Sequence, residues 1–342
     1  MRKRMERSFF SRLLHQTDVG IDLGTYHIRV YMKNRGIVLR EPSVVAFDDR
    51  QGKAVAIGAK AAAMADKDSP HIRVIRPLVN GVIAEFDGAQ ALLEAALTRV
   101  VGRNLFFKPR VMLCVPTDAT GVERRAVTEA AMQAGASKAY LLEEPLAAAL
   151  GAGLAVQKPL GCLVVTLGAE TTEAAVLSMG QLVSSASLRL GGQAFNQSLS
   201  RYMKNHLNIQ VEDALTEEIK LEIGTVNPAA ARGNLIVKGR DMITGLPTSL
   251  RLDSRDTARG MQEALEMVLS CIHRALEKIP PELAADVLAQ GMVLTGGGAQ
   301  LDGLAQVLGE QLRMPVRVTE RPEDCVAIGT GRALDEGLTF QE

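Results

Sequence analysis

The sequence predicts an α/β protein built from two similar halves. Three observations carry that reading. Apolar strands alternate with helical stretches of ten or more residues along the chain. A strand, glycine turn, strand unit occurs twice, at 19–32 and at 162–179. The length of 342 residues also exceeds what one hydrophobic core ordinarily spans. An apolar fraction of 47% with 23% charged residues argues against extensive disorder. The 39 basic residues balance the 39 acidic ones, so net charge gives no case for a nucleic-acid partner. Cys114, Cys162, Cys271 and Cys325 stand far apart within or near apolar stretches. That is the pattern of buried thiols in a reducing compartment, with no disulfide framework or metal spacing behind it. The expected location is the cytoplasm.

In chain order, Met1, Met5, Phe9, Phe10, Leu13 and Leu14 recur at helical spacing, with Arg2, Lys3, Arg4, Arg7 and Arg12 on the remaining face. A strand Val19–Leu23, the turn Gly24-Thr25 and a strand Ile28–Met32 follow. Short strands and turns fill 37–83, among them Val44–Phe47, Val55–Ile57, Val74–Ile75 and the turn Asn80-Gly81. A helix is expected over about 89–101, a buried strand over 111–115, and a helix after Pro116-Thr117-Asp118 that stops near Gly135. Pro145 occupies a tolerated first-turn position of a small-residue helix. Strands 162–167 and 174–179, helices near 194–206, 213–223 and 257–278, a strand 292–295 and a helix from about 301 complete the regular part.

Three glycine-bearing turns follow apolar strands: Asp22-Leu-Gly24-Thr25, Thr166-Leu-Gly168-Ala169-Glu170-Thr171-Thr172 and Thr295-Gly296-Gly297-Gly298. Glycine lets backbone N–H groups approach an anion closely, and three such turns at strand ends favour a split phosphate site. None matches GxxxxGK[ST] or GxGxxG.

With these turns in place, the chain resembles the MreB family of bacterial actin-like cytoskeletal proteins over nearly its whole length. The carrying segments are 20–25, 36–45, 80–86, 109–116, 122–126, 142–153, 217–224 and 292–299, in family order and with family spacing. The resemblance implies the actin-like fold shared with heat-shock and sugar-kinase ATPases, two α/β domains around a nucleotide cleft, each with a smaller subdomain. It places an amphipathic membrane-binding helix at 1–16, a first half at 17–148 (small subdomain about 34–78), a second at 149–330 (small subdomain about 190–250) and a terminal segment at 331–342. It implies ATP with Mg²⁺. The nucleotide contacts would be Gly24, Thr25, Tyr26, His27, Gly168, Ala169, Glu170, Thr171, Glu217, Glu218, Ile219, Lys220, Gly296, Gly297, Gly298 and Ala299. Asp22 would lie near the metal through water, and Glu144 would position the attacking water. On residue chemistry alone, Glu143-Glu144 need be no more than carboxylates favoured at a helix N-terminus.

The departures from the family cluster at the chemistry. Its second phosphate loop reads Asp-x-Gly-Gly-Gly-Thr, against Thr166-Leu-Gly168-Ala169-Glu170-Thr171 here. Its Gly-Gly-Asp-x-Phe-Asp reads Gly191-Gly-Gln193-Ala-Phe-Asn196, and Tyr26 and His27 replace small residues in the first loop. An ionised Glu170 about 5 Å from a phosphate charge would cost roughly 3 kcal/mol, on the order of a hundredfold in affinity. A weakened ATPase is therefore expected.

Residues 1–12 sum to +4, and an apolar stripe on such a basic helix is the pattern of an interfacial anchor. Leu105, Phe106 and Phe107, flanked by Arg103, Lys108 and Arg110, match the family's membrane-inserting loop. Along a filament, two weak anchors per subunit gain avidity. The reading is thus a filament subunit, peripheral on the inner face of the cell membrane, that organises cell-wall synthesis and rod shape. Its partners would be other copies of itself, anionic lipid and membrane proteins of the cell-wall elongation machinery. The alternative is a non-hydrolysing partner that co-assembles with a standard family member. A soluble kinase or a chaperone of the same fold is disfavoured by segments 36–45 and 217–224 and by the lack of a substrate domain before Glu342.

Overall fold

The computed structural model describes residues 18–65, 70–102 and 108–336. The stripe of Phe9, Phe10, Leu13 and Leu14, and the Leu105, Phe106 and Phe107 segment, lie outside the described residues. The chain forms two compact units. Unit 1 runs to Gly151 and resumes at Val326; unit 2 is Ala152–Cys325.

Unit 1 begins with a meander, β1 (Asp18–Leu23), β2 (His27–Met32) and β3 (Gly36–Pro42). Next come β4 (Val45–Asp48), β5 (Lys53–Ile57), α1 (Ala59–Ala62) and β6 (Ile72–Ile75), then β7 (Leu78–Val79) and β8 (Val82–Ile83). The expected turn at Asn80-Gly81 joins β7 to β8, with φ of 51° and 77°, the conformation of a two-residue hairpin. The helix α2 (Phe86–Val101), β9 (Arg110–Val115), α3 (Gly121–Gln133), β10 (Lys138–Glu143) and α4 (Glu144–Gly151) follow. The large sheet has the order β10-β9-β1-β2-β3, parallel on the β9 side of β1 and antiparallel on the β2 side. Arg110 clamps β9 to β1 through two bonds to the Asp18 carboxylate, at 2.8 and 2.6 Å. Helix α3 starts on a capping box between Thr120 and Glu123, and Gly135 follows its end with φ 107°.

Unit 2 repeats the scheme. A meander of β11 (Cys162–Leu167), β12 (Thr172–Ser178) and β13 (Gln181–Leu188) leads into α5 (Gly192–His206). Then come β14 (Ile209–Gln210), α6 (Asp213–Ile223), β15 (Asn234–Asp241), β16 (Pro247–Asp253), α7 (Ser254–Gly260) and α8 (Gln262–Leu276). The unit closes with α9 (Pro281–Gln290), β17 (Met292–Thr295), α10 (Leu304–Leu312) and β18 (Val316–Val318); α11 (Cys325–Glu336) carries the chain back into unit 1. The sheet order β13-β12-β11-β17-β18 again has an antiparallel meander on one side and parallel strands on the other. The duplication suggested by the paired strand–turn–strand units is therefore present in the topology. All residues of β11, β12 and β17 are buried, as expected for central strands covered on both faces. Smaller sheets, β5-β4-β6 in unit 1 and β14-β15-β16 in unit 2, fall largely within the segments expected for the subdomains.

Two expectations are corrected. The helix expected over 257–278 is two helices, because the chain leaves helical geometry at Met261 (ψ 0°). Gly260 packs directly on α5, where Ser198 donates to its carbonyl at 2.7 Å and a Cβ would stand 2.8 Å from Leu199. Second, the chain does not remain in the second half to residue 330. From Val326 it belongs to unit 1, and α11 docks there on α4 through bare backbone. A Cβ on Gly329 would fall 1.7 Å from the Ala147 carbonyl oxygen, and Arg332 donates to the Leu150 carbonyl at 2.6 Å.

Gly329→Ala should therefore destabilise unit 1 by about 3 kcal/mol, the upper end of overpacking costs. Gly121→Ala, where a Cβ meets nothing within 4 Å, should change stability by less than about 1 kcal/mol. Urea unfolding of the two variants checks the contrast; equal midpoints would contradict the close approach.

Candidate functional site

In unit 1 the turn between β1 and β2 is held from behind. Buried Ser43 donates from its hydroxyl to the Gly24 carbonyl at 2.6 Å and from its N–H to the Tyr26 carbonyl at 2.9 Å. The Gly81 N–H donates to the buried Thr25 hydroxyl at 3.1 Å. Arg76 lies 4.1 Å over the Tyr26 ring and reaches the Tyr26 carbonyl at 3.5 Å. Partial desolvation, then the Arg29 and Arg76 guanidinium groups, hold the His27 imidazole below its ordinary pKa. At neutral pH it is therefore uncharged. Asp22 pairs with Arg29 of the adjacent strand at 3.6 Å. Ser43, Arg76 and Arg29 were not singled out from the sequence, although Ser43 and Asn80-Gly81 lie within segments that carried the resemblance.

In unit 2 the turn 168–171 closes on itself, Gly168 N–H to the Thr171 carbonyl at 2.8 Å. Helix α5 begins docked on it: the Gly192 and Gln193 N–H groups donate to the Gly168 and Ala169 carbonyls at 2.9 and 2.8 Å. Gly296 (φ 84°) lets the third turn pass the end of β11, since a Cβ there would stand 2.3 Å from the Leu167 carbonyl oxygen. Gly297 is open to solvent on this edge, whereas Ala299 is buried in the core. Glu170 is half-buried in the second turn.

Beside that turn sits a connected polar cluster. Lys220 donates to the Gly192 carbonyl at 3.2 Å and to Glu217 at 2.9 Å. Buried Asn196 donates from its amide nitrogen to Glu217 and to the Gln193 side chain. The two amides that stand where the family has acids thus bond to each other, and Asn196 also supports Glu217. Thr166, the third departure, is buried and bonded to the Thr295 hydroxyl at 3.1 Å, its parallel-strand neighbour. Ile219 lies fully in the core of unit 2, which leaves its backbone alone for any ligand, and Glu218 follows Glu217 on α6. Glu144 opens α4, while Glu143 ends β10 and pairs with Arg124 at 3.4 Å. No disulfide joins the four cysteines, and burial pushes the Cys271 thiol up to about 11. Cys162, Cys271 and Cys325 are buried, whereas Cys114 is half-buried beside Asp22.

Each unit carries strand-end turns of the kind that can hold phosphate, one in unit 1 and two in unit 2, with Lys220 beside the helix start that docks on the 168–171 turn. The acids do not fit a hydrated Mg²⁺ in the way the resemblance implied. Asp22 already faces a guanidinium, and Thr166 carries no charge.

The family model described as MreB/Mbl protein matches residues 16–342. The chain belongs to the MreB/Mbl family. It is 42% identical over 318 residues to the cell shape-determining protein Mbl of Bacillus subtilis, covering 93% of this chain and 96% of that protein. It is likewise 42% identical over 330 residues to the cell shape-determining protein MreB of Escherichia coli, covering 95% of each. The crystal structure of MreB5 of Spiroplasma citri bound to AMPPNP superposes with a TM-score of 0.86 at 30% identity, over 95% of this chain and 99% of that one. A MamK double helical filament structure, 22% identical with a TM-score of 0.77 over 94% of this chain and 99% of that one, shares the fold. The actin-like fold implied by the resemblance is therefore the fold of this chain.

Within this MreB/Mbl chain, the amide at 196 is tied to the carboxylate at 217. Asn196→Asp removes the donor and sets two carboxylates together. It should cost about 1–3 kcal/mol at neutral pH, and less at pH 4, where two adjacent acids share a proton. Urea unfolding at pH 7 and pH 4 measures this; a cost that does not depend on pH would contradict the contact.

Proposed function

We propose that this chain is the subunit of a nucleotide-binding, membrane-associated filament that organises rod-shaped cell-wall growth. The observation that carries the reading is likeness along the whole length, in both directions, to cell shape-determining relatives at 42% identity. Binding of an adenine nucleotide is supported by the AMPPNP-bound neighbour and by the strand-end turns with Lys220 beside them. The candidate contacts are Gly24, Thr25, Tyr26 and His27 in unit 1, and Gly168–Thr171, Glu217, Lys220 and Gly296–Gly298 in unit 2. Glu144 is the candidate for orienting water.

Assembly is head to tail, a heterologous contact that does not close and so yields filaments. Membrane attachment rests on the basic apolar stripe of residues 1–14 and on Leu105, Phe106 and Phe107. No helix among the described residues is long and apolar enough to cross a membrane, so peripheral binding is the mode that fits. The Asp22–Arg29 pair and Thr166 favour a second reading, a slowly hydrolysing or non-hydrolysing subunit that co-assembles with a standard family member.

Electron microscopy on anionic liposomes tests the reading. The full chain should form protofilaments on the lipid, alone or mixed with a standard family member. A variant lacking residues 1–16 and carrying Phe106→Ser and Phe107→Ser should leave the lipid bare. Folded protein without filaments in either mixture rejects the filament, and undiminished lipid binding by the variant rejects the anchors.

Glu170 is expected to weaken ATP binding by charge alone. Glu170→Gly should tighten it about tenfold or more, corresponding to about 1.4 kcal/mol or more, read by calorimetric titration. An unchanged affinity would mean that this carboxylate points away from the phosphates.

A further inference from the structure

Asp22 and Arg29 are cross-strand neighbours in the β1–β2 ladder, so their side chains leave the sheet on the same face. They meet at 3.6 Å, with side chains only 14% and 17% exposed. The Cys114 thiol lies 3.8 Å from the other carboxylate oxygen of Asp22. A guanidinium is charged at every accessible pH, so Asp22 is never without its counter-ion. Arg76 is held over Tyr26 of the same turn. Both guanidinium groups act on His27, which places both within electrostatic reach of the turn. Together they carry the charge of one divalent cation.

Mg²⁺ needs near-ideal octahedral geometry, gives up water reluctantly and is usually held by one or two carboxylates with phosphate oxygens. Unit 1 offers it a carboxylate already neutralised; in unit 2, Thr166 carries no charge and is bonded to Thr295.

We propose that Arg29 takes the place of a divalent cation at Asp22, so that this chain binds the polyphosphate of an adenine nucleotide without Mg²⁺. The inference rests on the nucleotide reading above. Arg29 and Arg76 neutralise the phosphates that a metal otherwise would, and Asp22 serves as the anchor that fixes Arg29 at the turn.

The test is calorimetric titration of the full chain with ADP and with ATP, in excess EDTA and in excess Mg²⁺. The affinity should agree within about twofold between the two conditions. Arg29→Leu should lose about tenfold or more in EDTA and recover part of it with Mg²⁺, now drawn to a free Asp22. Arg29→Leu leaves a carboxylate without its partner, so Asp22→Asn with Arg29→Leu is the companion variant. It should bind weakly in both conditions, and circular dichroism verifies its fold. Binding by the unmodified chain that is about tenfold or more tighter with Mg²⁺ overturns the inference while leaving nucleotide binding intact. Absence of binding in both conditions overturns the nucleotide reading itself, and the inference with it.

Discussion

Backbone meeting backbone at the ends of the central strands is the constraint on which the rest of this molecule depends. In unit 2 the first two amides of the helix at 192–206 are spent on the carbonyls of Gly168 and Ala169. A Cβ on Gly191 would stand 2.5 Å from the Gly168 carbonyl oxygen. That contact fixes where the helix starts and therefore where Gln193 and Asn196 point. Asn196 then sets Glu217, and Glu217 sets Lys220, which returns to the Gly192 carbonyl. A closed ring of contacts surrounds the turn. In unit 1 the hydroxyl and N–H of Ser43 do the equivalent work on the Gly24–Tyr26 turn.

Within that scaffold the unusual residues come in compensating sets. Asn196 and Gln193 bond to each other and to the carboxylate of Glu217. Thr166 bonds to Thr295, and Arg29 stands against Asp22. These contacts satisfy the Asn196 amide nitrogen and the Thr166 hydroxyl, groups that burial would otherwise leave at a cost, while the Asn196 side-chain oxygen stays buried without a partner. The turn architecture is thus retained while the charged residues around it differ from the family pattern.

Much of the fold was legible in the sequence. The paired strand–turn–strand units announced the duplication, and Gly135 and Asn80-Gly81 marked boundaries where a positive φ is required. The strand at 181–188 carries little signal in the sequence, because its Ser-rich alternation lacks a strong apolar face. The break at Met261 was invisible because it comes from the packing of Gly260 on Leu199 and Tyr202, sixty residues away in sequence. The same limit applied to the site. The altered acids could be seen as departures, but their partners could not: Asn196 with Glu217, and Thr166 with Thr295, are pairings that only tertiary structure creates. Arg29 was hidden most completely, since on its own it reads as an ordinary strand residue and gains meaning only from its register opposite Asp22.

The most direct measurement is a crystal structure of the full chain grown with AMPPNP and Mn²⁺, with the metal located by its anomalous scattering. The account predicts nucleotide phosphates at the glycine turns, no anomalous peak beside Asp22, and Arg29 still seated on that carboxylate. A metal peak between Asp22 and the phosphates, with Arg29 turned away, would contradict it.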